Sequence, residues 1–474
     1  MSSSFLSGCL QVVATIRPPS FSMDDTPVEA TNLKVLGSYN WIEAEFPTIA
    51  IPGRPAAWKD PPMPIRLGKE LGTPFFDENI ARKCGFPLQP DLLAIEVSQA
   101  ADPGFDLAKE NIDIVTNRNN LRKLISFANY GDVGGGRYSD SFRIDVQLAP
   151  NGRTMILTRY ETPSDGTNAP APQQNRGRQQ NRGRGRGRGG YGRPQINGQA
   201  LALLGRALSS QPHISSQSQI GSQPQTNPQP QNNQSGFIGY DHILERMCTE
   251  ELPIIHPTDS SGANVPLRPI GYHRIVRYDL LGLRFLVRSR VDGMLKAPSH
   301  PQPNSSSPSD IEDLTKAFEK TRLEPESVKN SAPRLRGEGS GLRYVDFGER
   351  VPQELLLDIK LAPNNRVNWE NIYPQFFLSQ TPNLRVAART TAPGPKSVSL
   401  LTTYDQNTLK PVHAQQAQRF RNLVAVLKQM RQTIQAHGSH TQPLAFVWTK
   451  QENMKVYKIE ERGEFLSDKG LDKF

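Results

Sequence analysis

The chain has 474 residues, a formal net charge of +10 and an apolar fraction of 36%, too little for several fully packed domains, so one large domain carrying unpacked insertions is the expected organisation. Three scattered cysteines, Cys9, Cys84 and Cys248, exclude a disulfide framework and a thiolate zinc site and point to a reducing compartment. No run reaches the roughly 18 apolar residues that span a bilayer, and the N-terminus lacks a basic region ahead of its short apolar stretch, so neither a membrane span nor a secretion signal is expected.

Residues 1–34 read as a flexible arm, and residues 35–161 as the first part of the domain. VLGSYNWIEAEFPTIAIPGRPAAW, residues 35–58, has aromatics and a Pro-Gly turn and predicts an irregular segment packed around the core. A helix is expected to open on Asn117 as N-cap, with Leu121, Leu124 and Ile125 at helical spacing. Two alternating strands around Pro150-Asn151-Gly152 predict a hairpin. The next tract, residues 162–235, is rich in Gln, Asn, Pro, Ser and Gly and predicts disorder, since it cannot bury enough apolar surface to offset its ordering entropy.

After the tract, residues 236–295 hold a helix carrying Glu245 and two strands, HRIVRYDLLGLRFLVRSRVDG, separated by a Leu-Gly turn. Residues 296–340 are Pro- and Ser-rich and form a second insertion. Residues 341–460 complete the domain with the strand ELLLDIK, a helix through NWENIYPQFFLSQ, strands near NLRVAART and SVSLLTT, a long helix from Pro411 and a terminal strand pair. Residues 461–474 read as a tail. The order gives an α+β fold, a mixed central sheet flanked by helices.

Charge is concentrated in one place. The stretch NRGRQQNRGRGRGRGGYGRP, residues 175–194, holds seven arginines and no lysine or acid, leaving about +3 for everything else. Alternation with glycine exposes guanidinium groups that pair with phosphates and stack on unpaired bases, so Arg182, Arg184, Arg186 and Arg188 are expected RNA contacts. The alternative is a solubilising linker. RNA-binding proteins with such tracts occur in nucleus and cytoplasm alike, and this reading sets the nucleus first.

Two apolar strands end on acids. Asp358 and Lys360 are two apart, share one face of a strand and raise the question of a metal site together with Asp292. A structural reading stands beside each candidate. Asp292 before Gly293 fits a turn, and Asp358 with Lys360 fits an ion pair at a sheet edge. Glu245 fits an ordinary helix surface, Arg118 a solvated first turn, and Gln375 after Pro374 the start of a helix.

Taken in order, NRNNLRKLI with its hairpin, GYDHILERM, LRFLVRSRVDG, LLLDIK and YPQFFLSQTPNLRVAART resemble the Rai/DXO-type RNA decapping nucleases, of PD-(D/E)XK-like fold, and look closest to a divergent fungal branch. The resemblance spans about residues 35–460 outside the insertions. It implies that Arg118 contacts substrate phosphate, that Glu245, Asp292 and Asp358 hold Mg²⁺ or Mn²⁺, that Asp358 and Lys360 act on the attacking water, and that Gln375 touches the scissile region. It also implies RNA 5′ ends or single strands as substrate and admits an exonuclease partner.

Two departures bear on activity. Where the family has Glu-x-Asp this chain has Arg290-Val291-Asp292, and an arginine about 4 Å from a divalent ion costs several kcal/mol. The GYDHILE segment is also two residues longer than the family's Gly-Tyr-x-x-Glu. A guanidinium at position 290 is expected either to weaken the metal site or to replace the metal by pairing with Asp292 and Asp358; Asp279 and Glu370 are alternative sources of a ligand.

Other classes fit less well. Asp24-Asp25 stands alone without the paired Asp-rich helices of a prenyl diphosphate synthase. The glycines of residues 131–140 precede no phosphate-binding Lys-Ser/Thr pair, and the eight histidines show no metal spacing. Two readings remain: a metal-dependent RNA 5′-end hydrolase, and a non-catalytic RNA- or partner-binding protein on the same scaffold.

Overall fold

The computed structural model describes residues 4–19, 25–68, 84, 87–130, 141–160, 240–259, 262–296, 333–337, 341–363, 366–390, 396–450, 453–460, 465–466 and 468–474. All of them belong to one unit built from residues 1–167 and 235–474. The expected RNA contacts Arg182, Arg184, Arg186 and Arg188, the glycine loop of residues 131–140 and most of the second insertion lie outside the described residues.

The first strands are β1 (Cys9–Ile16), β2 (Ala30–Glu43), β3 (Thr48–Gly53) and the short β4 (Ile65–Arg66). This corrects the expectation of a flexible arm followed by an irregular segment. β1 pairs with the last strand of the chain, and β2 runs beside a later strand from Ala30 to Glu43 through three register shifts. Those irregularities, with Gly37, Ser38 and Asn40 inside the strand, hide its period of two from a reading of the residues alone.

Helix α1 (Gln89–Gln99) places Pro90 in its first turn, where a missing N–H is no loss. Strand β5 (Ile114–Asn117) then runs directly into α2 (Arg118–Ala128). Asn117 is the N-cap as expected: its side chain accepts the Asn120 N–H at 2.9 Å, and Leu121, Leu124 and Ile125 are buried. The expected hairpin is β6 (Phe142–Leu148) and β7 (Met155–Arg159), its turn tied by the Asn151 Oδ1, which accepts the Arg153 and Thr154 N–H groups.

Helix α3 (Tyr240–Cys248) precedes the long hairpin of β8 (Arg268–Leu280) and β9 (Leu283–Val291). Its two-residue turn has φ of 48° at Leu281 and 81° at Gly282, the primed geometry that matches strand twist. There follow β10 (Gly293–Met294), β11 (Leu335–Arg336), β12 (Arg343–Gly348) and β13 (Leu356–Pro363). The chain then forms α4 (Trp369–Ser379), β14 (Asn383–Arg389), β15 (Ser397–Asp405) and α5 (Lys410–His437). It ends with β16 (Leu444–Trp448), β17 (Met454–Ile459) and α6 (Asp468–Leu471).

Among the described residues these strands form two sheets rather than one. The larger has twelve strands in the order β1-β17-β16-β6-β7-β5-β9-β8-β2-β3-β12-β11, and the smaller five in the order β10-β13-β14-β15-β4. Both mix parallel and antiparallel pairs, as in β5 beside β9 and β13 beside β14, so the fold is a mixed α/β one.

The main core packs α2, α4 and α5 onto the larger sheet through Leu124, Phe127, Phe376, Phe420 and Leu427. A second core, around Leu36, Tyr39, Trp41 and Ile95, includes Leu466, Leu471 and Phe474, so the described part of the expected tail packs onto the domain. A third seats α3 on the smaller sheet, with Leu244 and Cys248 against Leu357 and Ile359. No helix among the described residues is long and apolar enough to cross a membrane.

Candidate functional site

Side-chain parity on β13 sets the site. Leu357 and Ile359 pack toward α3, so Asp358 and Lys360 point to the opposite face. Asp358 is completely buried. On the larger sheet Arg288 and Arg290 share a face of β9, and Asp292 follows the strand at the junction with β10. Gly293 is needed there: a Cβ on it would lie 3.1 Å from the Ala56 carbonyl oxygen and 3.3 Å from the Thr249 Cγ2. Helix α2 delivers Arg118 from its first turn, and α3 delivers Glu245.

The structure brings Arg118, Glu245, Asp292, Asp358 and Lys360 together with Arg290, and pairs each acid with a cation. The Arg290 Nη2 donates to the Glu245 Oε1 at 2.7 Å, and its Nη1 lies 3.9 Å from the Asp292 Oδ1. The Lys360 Nζ donates to the Asp292 Oδ2 at 2.7 Å. The Arg118 Nη1 donates to the Asp358 Oδ2 at 3.0 Å. Each of these three carboxylates thus faces a cation of the same chain.

The strand edge also uses the acids. Next to β10, β13 pairs only through Leu356 and Leu357, which leaves later N–H groups on that edge without a ladder. The Asp292 Oδ2 accepts the Ile359 N–H, and the Asp241 Oδ1 accepts the Leu361 N–H, each at 2.9 Å. Asp241 was not among the residues singled out from the sequence. Its signal was only its place in the first turn of α3, since the edge that it caps is created by the second sheet.

Burial opposes the charge of Asp292, but Lys360, Arg290 and Arg118 together hold its carboxyl well below the usual carboxylate range. Burial pushes Asp358 the other way: its carboxyl lies above the usual range although Arg118 and Lys360 favour the charged form. Its Oδ1 is buried with no hydrogen-bond partner. Burial also works against the charge of Lys360, and Asp292 and Asp358 override it, so the ammonium is held above its ordinary value.

Behind the pit the polar chain continues. His273 pairs in register with Arg290 and stacks on Tyr39 with centroids 5.0 Å apart. The Tyr39 hydroxyl lies 3.1 Å from the Asp91 Oδ1, whose other oxygen is 3.6 Å from the Arg288 Nη1. Burial and then the charges of Arg288, Arg290 and Arg118 push His273 well below its ordinary value, so it is neutral at pH 7.

The donor set does not suit a divalent ion. Both Glu245 oxygens face partners, Arg290 and the His242 Nδ1 at 3.3 Å, and the Asp292 Oδ2 accepts two donors. The Asp358 Oδ1 is buried without a hydrogen-bond partner, but Mg²⁺ needs about six oxygens at close to 2.1 Å. Among the described residues no three His, Cys, Asp or Glu side chains are placed to hold a metal ion. The expected trio Glu245, Asp292 and Asp358 therefore shares a pit but does not form a cage, because Arg290 lies between Glu245 and Asp292 and Arg118 covers Asp358.

Gln375 lies in mid-helix on α4, its amide donating to the Asn371 carbonyl at 3.0 Å. The reading of Gln375 as a helix start is thus corrected. Asp279 belongs to a separate network with Arg277, Arg284 and Asn32.

Comparison with solved structures finds likeness over nearly the whole chain. S. pombe Rai1 is 8% identical with a TM-score of 0.47, covering 94% of this chain and 99% of that one. Candida albicans Rai1 in complex with pU5-Mn²⁺ is 9% identical with a TM-score of 0.46, covering 94% of each chain. Scheffersomyces stipitis Rai1 in complex with (3′-NADP)⁺ and calcium ion is 9% identical with a TM-score of 0.48, again covering 94% of each. This is the group that the five sequence motifs resemble. No curated protein matches the sequence. A family profile described as "Domain of unknown function (DUF8563)" matches residues 10–181 and 233–469, most of the chain, and the chain belongs to that family.

Proposed function

We propose that this protein binds RNA on a nuclease-like scaffold without cutting it. The Arg-Gly tract of residues 175–194 is the RNA contact, and the pit is a structural joint. One observation carries the second half: each of the three acids expected to hold metal is paired with a cation from this chain. Carboxylates already paired with cations of the chain leave a divalent ion few free oxygens, whereas seven arginines in twenty residues attract phosphate. Arg118, engaged with Asp358, is on this reading part of the joint rather than a phosphate contact.

One observation favours the other reading, a hydrolase dependent on Mg²⁺ or Mn²⁺ acting at RNA 5′ ends: Asp358 keeps a buried oxygen unengaged. The two are separated by incubating the protein with 5′-triphosphate and incompletely capped RNA plus Mg²⁺ or Mn²⁺, beside Asp358→Ala. The expected result is no product from either protein and salt-sensitive binding by both. Product that disappears in Asp358→Ala would establish the hydrolase instead. Deleting residues 175–194 should weaken binding and reduce the log-log salt slope by about 5, near 0.7 for each arginine on a single strand; an unchanged slope would remove the tract from the contact.

A further inference from the structure

We infer that Arg290 is a resident cation in place of a divalent ion, so that the pit is a metal-independent joint and also a latent metal site one substitution away. This builds on the reading of the pit as non-hydrolytic. The observation that brings it forward is the position of the guanidinium. Its Nη2 is 2.7 Å from Glu245 of α3, and its Nη1 is 3.9 Å from Asp292 at the end of β9. It thus bridges two carboxylates from different layers, the task a bound cation performs where acids converge.

The inventory of oxygens around it supports the second part. With a carboxylate at position 290, Glu245 would lose its guanidinium partner and Asp292 would lose its partner on Oδ1. The buried Asp358 Oδ1 already lacks one. Three carboxylates from α3, β9 and the β9–β10 junction would then converge beside a fourth on β13, a hard-oxygen set of the kind that Mn²⁺ or Mg²⁺ takes. Lys360 stays with the Asp292 Oδ2 in either case.

The test uses melting temperature and metal binding rather than RNA turnover, so its failure is separable from failure of the RNA proposal. Wild-type protein should melt at the same temperature in EDTA and in Mn²⁺. Arg290→Glu should bind Mn²⁺ with a saturable isotherm and melt several degrees higher when Mn²⁺ exceeds its dissociation constant about a hundredfold. A fall in wild-type melting temperature with EDTA would overturn the resident-cation claim. A folded Arg290→Glu that takes up no Mn²⁺ would overturn the latent site.

If Arg290→Glu does not fold without metal, Arg290→Met supplies the check. It keeps most of the side-chain volume, removes the charge and leaves Glu245 and Asp292 without their guanidinium. It should melt below wild type, and an unchanged melting temperature would show that the guanidinium is not the joint.

Discussion

Two acid and arginine clusters lie at opposite ends of β9, and they solve the same problem differently. At the start of the strand Asp113 has both oxygens engaged: its Oδ1 accepts the Arg153 Nε at 2.8 Å and the Arg431 Nη1 at 2.9 Å, and its Oδ2 the Arg284 N–H at 2.8 Å. At the far end the pit holds a fully buried Asp358 with one oxygen unengaged. Burial opposes ionisation in both. Hydrogen bonds from Arg153 and Arg284 reverse it at Asp113, whose carboxyl lies below the usual range, and fail to reverse it at Asp358, whose carboxyl lies above. A buried carboxylate is a fastening only when its lone pairs are filled; otherwise it is kept at a penalty.

The largest effect expected on this contrast comes from Asp292→Ala. It removes the cap of Ile359 N–H and leaves Lys360 part-buried without its partner, and should lower unfolding free energy by about 3–5 kcal/mol in urea titration. A loss below about 1 kcal/mol would mean that the pit is not a joint. Asp113→Ala should follow with a loss of about 2–3 kcal/mol, since three donors lose one acceptor group while its arginines keep access to water.

Asp358→Asn should lie within about 1 kcal/mol of wild type at pH 7, because the amide still accepts from Arg118 while the burial penalty of the charge disappears. The signs of the pH dependence sharpen the comparison. Asp113 has a depressed folded pKa, so its contribution is present above the unfolded carboxylate value of about 4 and is lost as pH falls through the folded value. Asp358 has a raised one, so its contribution is present below that unfolded value and is lost as pH rises through the folded value. Denaturation curves across this range should therefore show Asp358→Asn gaining on wild type as pH rises and Asp113→Asn gaining as pH falls. Parallel profiles would erase the distinction. The smallest effect is expected from Gln375→Ala, about 0.5 kcal/mol or less, since its amide only bonds back along α4.

What could be read from the residues follows from where the interactions live. The Asn117 cap, the Pro150-Asn151-Gly152 hairpin and the Leu281-Gly282 turn depend on neighbours within a few positions, and all were legible. The convergence of Arg118, Glu245, Asp292, Asp358 and Lys360 was legible through residue type and strand parity, together with the family resemblance. Their pairing was not, because it depends on distances across β9, β13 and α3. Nor was the division into two sheets, which frees the β13 edge and gives Asp241 and Asp292 their capping roles. Strand β2 was missed because three register shifts break its alternation. Asp91 and His273 were missed as site neighbours because nothing local marks a carboxylate 3.1 Å from a tyrosine 52 residues away.

The most direct measurement is a Mn²⁺ titration of the wild-type protein followed by electron paramagnetic resonance, where bound ion loses the sharp signal of free ion. A pit already filled by Arg118, Arg290 and Lys360 predicts a free-ion signal that grows linearly from the first addition. One equivalent of Mn²⁺ taken up and released by Asp358→Ala would contradict it.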